Sequence, residues 1–252
     1  MNEKNLRGKV AVITGASKGL GKAMALALAE AGAKLALISR NLDQSKETAV
    51  AAQKLGTDAE AFQADVTDEQ QVRQVEQAVA EKFGAIQILI NNAGINLRKP
   101  ITDFTLEEWM KVTNTNLTSA FLMCRSFVPR MKGQNYGRIL NLTSIMSHVA
   151  LGGRTAYCAT KTGLLGFTRA LALELAPEHI TVNGISPGPF ATELNAPILQ
   201  NPDLNREFVS KIPLGRWGKP EEVGNLAVYL CSEHANFITG TDFLIDGGWT
   251  AQ

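Results

Sequence analysis

The chain alternates between short runs of apolar, β-favouring residues and longer segments whose apolar positions recur every three or four residues. "KVAVIT" (9–14) is the first such run, and glycines separate it from the helix-like "KAMALALAEAG" (22–32). "AKLALIS" (33–39) predicts a second strand and "LDQSKETAVAAQKLG" (42–56) a helix ended by Gly56. "AEAFQAD" (59–65), the helical "DEQQVRQVEQAVAEKFG" (68–84) and "IQILINNAG" (86–94) repeat the pattern. Further strands are expected at 137–144, 180–186 and 242–247, with helices between them. Apolar strands alternating with amphipathic helices imply βαβ crossovers, which place helices on both faces of a parallel sheet. The expected class is α/β: a doubly wound parallel sheet of about seven strands, in one domain over residues 1–252. Residues 189–211 carry weak strand signals and several helix breakers, and read as a mobile flap.

Composition narrows the classes of function. The net charge is +1 and no Lys/Arg stripe interrupts the pattern, so neither nucleic acid nor an anionic membrane is an expected partner. No stretch of about 20 apolar residues occurs, and the apolar run before the glycine loop is too short for a leader's hydrophobic region, so neither a spanning helix nor a secretory leader is expected. The three cysteines (Cys124, Cys158, Cys231) are far apart and odd in number, which argues for a reducing, cytoplasmic location.

"TGASKGLG" (14–21) lies between the first strand and the first helix, with glycines at Gly15, Gly19 and Gly21. Glycine permits a tight turn and close backbone approach, and the free N–H groups of a helix start attract a pyrophosphate. Ser17, Lys18 and Leu20 complete the loop. An acidic residue at the end of the second strand would select the ribose of NAD. This strand ends instead in Ser39 and Arg40, and Lys18 supplies a second cation, so NADP (NADPH) is favoured over NAD. Asp65 and Val66 end the third strand, and Asn92, Ala93 and Gly94 the fourth. Asp65 is positioned to accept from an adenine amino group, and Asn92 and Gly94 to pass beneath adenosine. Both groups also have an ordinary reading as strand-end turn chemistry.

"TAYCATK" (155–161) puts Tyr157 and Lys161 one turn apart on a helix of otherwise small residues. An ammonium about 4 Å from a phenolate, at an effective dielectric near 20, stabilises it by up to about 4 kcal/mol, roughly two or three pKa units before desolvation opposes it. The spacing therefore predicts a phenol that exchanges protons near neutrality. Ser144 closes the strand "GRILNLTS", where its hydroxyl can hold a carbonyl oxygen. Asn116 sits within a helix-like segment, either catalytic or a satisfied buried amide.

Taken together, "TGASKGLG", "NNAG", Asn116–Leu117, Ser144, "YCATK" and Pro187–Gly188 resemble the short form of the short-chain dehydrogenases/reductases, over essentially the whole chain. The resemblance implies a Rossmann-like sheet, a homotetramer and an Asn116–Ser144–Tyr157–Lys161 tetrad. In that pattern Tyr157 is the acid/base and Ser144 orients the substrate oxygen. Lys161 binds the nicotinamide ribose and lowers the tyrosine pKa, and Asn116 holds a water in a proton relay. Pro187, Gly188, Phe190 and Thr192 match the segment that contacts the nicotinamide. The reaction implied is interconversion of a ketone and a secondary alcohol, with no metal.

The substrate signal is thinner. "NNAGINLRKP", "GRWGKPEEV" and "IDGGW" are similar to gluconate 5-dehydrogenases, and part of that pattern is shared with 3-oxoacyl-carrier-protein reductases. Arg98 and Arg154 can clamp a carboxylate through bidentate hydrogen bonds, or serve as ion-pair residues. Met146 and Leu151 make the pocket partly apolar, and His148 is expected to line it or be exposed. A sugar acid is the leading substrate; a 3-oxoacyl thioester or a general carbonyl is the alternative. A non-catalytic NADP sensor is the reading from another class, and the presence of all four tetrad positions weighs against it.

Overall fold

The computed structural model describes residues 5–252. Seven strands form one sheet in the order β3-β2-β1-β4-β5-β6-β7, and every pairing is parallel. These are β1 (Val10–Thr14), β2 (Lys34–Ser39), β3 (Ala59–Gln63), β4 (Ile88–Asn91), β5 (Gly137–Leu142), β6 (Ile180–Pro187) and β7 (Asp242–Ile245). The chain winds outward from β1 to β3, returns to lay β4 on the other side of β1, and continues to β7. This Rossmann-like order puts the switch point between β1 and β4.

The strands are apolar on both sides because both faces are covered. Along β1, Ala11 and Ile13 join one core, with Met24 and Leu28 of α1 (Gly19–Glu30), Ala49 of α2 (Leu42–Gln53) and Val223 and Leu230 of α9 (Pro220–Cys231). Val10 and Val12 face the other, with Val72, Val75 and Val79 of α3 (Glu69–Phe83), Phe127 of α5 (Ser119–Met131) and Ala172 of α6 (Thr155–Leu175). α4 (Leu106–Thr113) precedes α5, joined to it by a five-residue π-helical segment, Asn114–Thr118.

The expected elements hold with shifted ends, α1 beginning at Gly19 rather than 22 and β6 running to Pro187. The helix expected from 68 begins at Glu69, because the Asp68 side chain caps it by accepting from the Gln70 and Gln71 amides. The expected flap contains α7 (Ala196–Leu199) and α8 (Pro202–Ser210). Its prolines do not break these helices; Pro197 and Pro202 occupy first-turn positions, where a missing N–H costs nothing.

Candidate active site

The carboxyl ends of the strands open into a cleft of about 1050 Å³. Its coenzyme half is held by a side-chain lock between β1 and β4. Thr14 Oγ1 accepts from the Asn92 and Ala93 amides at 3.0 and 3.1 Å, and Asn92 Nδ2 donates to the Thr14 and Gly15 carbonyls at 2.9 and 3.1 Å. The Asn92 side chain therefore braces the glycine loop rather than reaching for an adenosine. Gly15 and Gly19 have φ of +65° and +56°, and a Cβ on Gly21 would stand 2.3 Å from the Gly15 carbonyl oxygen. No side chain caps the start of α1, so its first amides are left to the cleft. The donor set and the space fit a dinucleotide pyrophosphate.

Ser17, Lys18 and Leu20 line this half with the glycines, as do Ser39, Arg40, Asp65, Val66, Ala93 and Gly94. The Ser39 hydroxyl is turned away, donating to the Asn41 carbonyl beside Ser45, so the attraction for an anion at the rim comes from the cations Lys18 and Arg40. Arg40 is 68% exposed and lies 3.9 Å from Asp65, whose other oxygen accepts from Thr67.

In the second half, Ser144 follows β5 and its hydroxyl accepts from the Met146 amide at 3.2 Å. Tyr157 and Lys161 rise from the first turns of α6. The expected close ion pair between them does not form. Lys161 Nζ is 5.7 Å from the Tyr157 ring centroid and donates to the Leu142 carbonyl. Burial lowers its pKa to about 8, and the charge of Asp242 works in the opposite direction. Burial likewise raises the Tyr157 pKa above its ordinary value, against the pull of the Ser144 hydroxyl and of Arg154 and Arg98. The lysine is tied to the strand, and the cations that act on the phenol here are Arg154 and Arg98.

Asn116 lies outside the cleft wall and is 2% exposed. Its amide donates to the Ile95 carbonyl and Thr160 Oγ1, and its Oδ1 accepts from the Ile95 amide at 2.8 Å. The side chain stitches the segment after β4 to α6, which is the satisfied-amide reading.

A family model described as enoyl-(acyl carrier protein) reductase matches residues 15–250. The chain belongs to the short-chain dehydrogenase/reductase family. This member of the family is 36% identical to a 3-oxoacyl-[acyl-carrier-protein] reductase of Aquifex aeolicus, over 98% of the chain and 99% of that protein. It is 37% identical to the 2-dehydro-3-deoxy-D-gluconate 5-dehydrogenase of Dickeya dadantii, over 100% of the chain and 99% of that protein. A gluconate 5-dehydrogenase from Burkholderia cenocepacia, crystallised with NADP and tartrate, superposes with a TM-score of 0.94 at 32% identity, covering 100% and 98% of the two chains.

In this dehydrogenase/reductase, Pro187, Gly188, Phe190 and Thr192 also line the cleft, Thr192 beside Gly19 of the glycine loop, and Arg98, Met146, Leu151 and Arg154 line it with Tyr157. Arg98 and Arg154 form no ion pair among the described residues. Burial, and then Arg98, lower the Arg154 pKa. Of the two roles expected for His148 the structure shows the exposed one: it stands outside the cleft lining, and its Nε2 is 2.7 Å from Asp242 Oδ2. Phe208 and Trp249 line the cleft without having been singled out. Each is far in sequence from the motifs, and neither carries a signal beyond being aromatic. Among the described residues no cluster of three or more His, Cys, Asp or Glu could hold a metal, and no helix is long and apolar enough to cross a membrane.

Proposed function

We propose that the protein is an NADP(H)-dependent reductase of a ketone bearing a carboxylate, the product being a secondary hydroxy acid of the sugar-acid type. The observation that carries the substrate class is the Arg98–Arg154 pair. Two guanidiniums with no acidic partner, close enough to Tyr157 to act on its charge, repel each other until an anion arrives. The relatives named for gluconate dehydrogenation support the same reading.

The glycine loop and the start of α1 hold the pyrophosphate, and Lys18 and Arg40 take the 2′-phosphate. Pro187, Gly188, Phe190 and Thr192 bound the nicotinamide. Once bound, the nicotinamide supplies the hydride. Ser144 holds the ketone oxygen, and Tyr157 gives it a proton, which its raised pKa keeps available at neutral pH. Lys161 presents its ammonium to the nicotinamide ribose, and Asn116 keeps α6 in register with the segment that carries Arg98. Exposed Leu106, Phe121 and Leu173 leave an apolar face on α4, α5 and α6, which fits a homotetramer. Three free cysteines fit a cytoplasmic location.

A second reading, reduction of a 3-oxoacyl thioester, is favoured by the apolar wall of Met146, Leu151, Phe208 and Trp249. NADPH consumption with 5-ketogluconate, a 3-oxoacyl thioester and an aryl ketone, each repeated with NADH, separates the two. Fast turnover of the keto acid alone supports the first; preference for the thioester replaces it. Tyr157→Phe should keep NADPH binding and lose turnover by orders of magnitude, and turnover near wild type would sink the mechanism.

A further inference from the structure

Behind the strand ends that carry Ser144 lies a buried carboxylate. Asp242, the first residue of β7, has a side chain 2% exposed. Its Oδ1 is 2.7 Å from Thr143 Oγ1 and its Oδ2 2.6 Å from Ser186 Oγ, with both hydroxyls in donating geometry. His148 Nε2, 2.7 Å from Oδ2, closes the network on its outer side. Gly184 on β6 makes the room, since a Cβ there would stand 2.1 Å from Asp242 Oδ1. A carboxylate removed from water needs several donors or an opposite charge. Here β6 brings Ser186, and the segment after β5 brings Thr143 and His148.

The same hydroxyls reach the active site. Ser186 Oγ is 2.9 Å from the Ser144 carbonyl oxygen, and Thr143, the residue before Ser144, is 2.7 Å from the Ile185 carbonyl. Each hydroxyl has one proton and three oxygens within reach, a carboxylate oxygen of Asp242, a backbone carbonyl and the other hydroxyl, so the charge on Asp242 biases where both protons point. Lys161 is the other group that senses this charge, because Asp242 favours its protonated form against burial. The titratable group in contact with Asp242 is thus His148, from the segment after β5; that segment and β6 also bring the neutral hydroxyls of Thr143 and Ser186.

We propose that Asp242 is a positioning residue of the reductase site, fixing the Ser144 turn through Thr143 and Ser186. The proposal rests on the reading of the cleft given above. It is tested with Asp242→Asn and Asp242→Glu, read by NADPH fluorescence and by ketone turnover. Asp242→Asn should bind NADPH as the wild type does. Its kcat for reduction should fall about tenfold, the scale of one hydrogen bond to a charged group, without a matching rise in KM. Asp242→Glu keeps the charge and should recover part of that loss. An Asp242→Asn enzyme with the wild-type kcat overturns the proposal. If Asp242→Asn does not fold, Ser186→Ala keeps the charge and cuts the link to Ser144. There kcat should fall about tenfold with NADPH binding unchanged at every pH, and a wild-type kcat overturns the positioning role. A wild-type protein that binds no NADPH removes the reading of the cleft and the proposal with it.

Discussion

Lys161 sits one helical turn from Tyr157, yet its ammonium donates to the Leu142 carbonyl and lies 5.7 Å from the phenol ring centroid. The lysine is thereby a fixed charge at the floor of the cleft rather than a direct partner of the phenol. With its pKa lowered to about 8 by burial, ketone reduction should decline as pH rises through that value and the ammonium is lost. The opposite reaction should gain with pH, because alcohol oxidation needs Tyr157 to give up a proton that burial makes it hold. Steady-state rates in both directions across one pH series check this; parallel profiles would refute it.

Burying the same ammonium has a cost to the fold. The native pKa is below the unfolded value of about 10.4, so the native state binds fewer protons between the two values and stability rises with pH there. Below about pH 8 the full cost is present, on the order of 3 kcal/mol for a shift of this size. Lys161→Met should therefore melt higher than the wild type at neutral pH while losing turnover. A lower melting temperature would show that the Leu142 hydrogen bond outweighs the buried charge.

Arg98→Ala should raise the KM for a keto acid by about ten- to a hundredfold, the scale of a lost charge-assisted hydrogen bond, and leave a neutral ketone nearly unaffected. Arg154→Ala should behave alike. Equal losses on charged and neutral ketones would reassign both arginines to the scaffold.

At the rim of the coenzyme half, Arg40→Ala should raise the KM for NADPH about tenfold and leave that for NADH unchanged. The measurement is the ratio of kcat/KM for the two coenzymes. An unaltered ratio would leave Lys18 as the cation that reads the phosphate.

The seven strands and their parallel pairing were legible because the central strands β1, β2 and β4 are almost wholly apolar runs, a pattern that burial on both faces demands, and the others repeat their spacing between helices. The glycine loop, Ser144, Tyr157 and Lys161 were legible because each stands at a fixed place relative to a strand end or helix start. What was not legible depended on direction. Spacing puts Lys161 near Tyr157 but does not say that its chain runs toward Leu142. It names Asn92 and Asn116 as polar groups near the cleft but not that both turn inward, to Gly15 and to Ile95. Asp242 and His148 are 94 positions apart, and only the placement of β7 beside β6 brings the carboxylate to the back of the β5 turn. α7 and α8 were obscured by prolines that start helices as readily as they stop them.

The lock between Thr14 and Asn92 divides the cleft into parts with different freedom to change. It is built from side chains and carbonyls engaged with one another, so the glycine loop proposed for the pyrophosphate is coupled to the end of β4 and, through Ile95 and Asn116, to α6. Arg40 stands outside this frame, 68% exposed, on a turn that shares none of these bonds. Dinucleotide preference can accordingly be rewritten at the rim with one or two substitutions while the chemistry beneath keeps its alignment. The frame itself tolerates no such editing: a methyl group on Gly21 would displace the loop, the strand end and the catalytic helix as one piece.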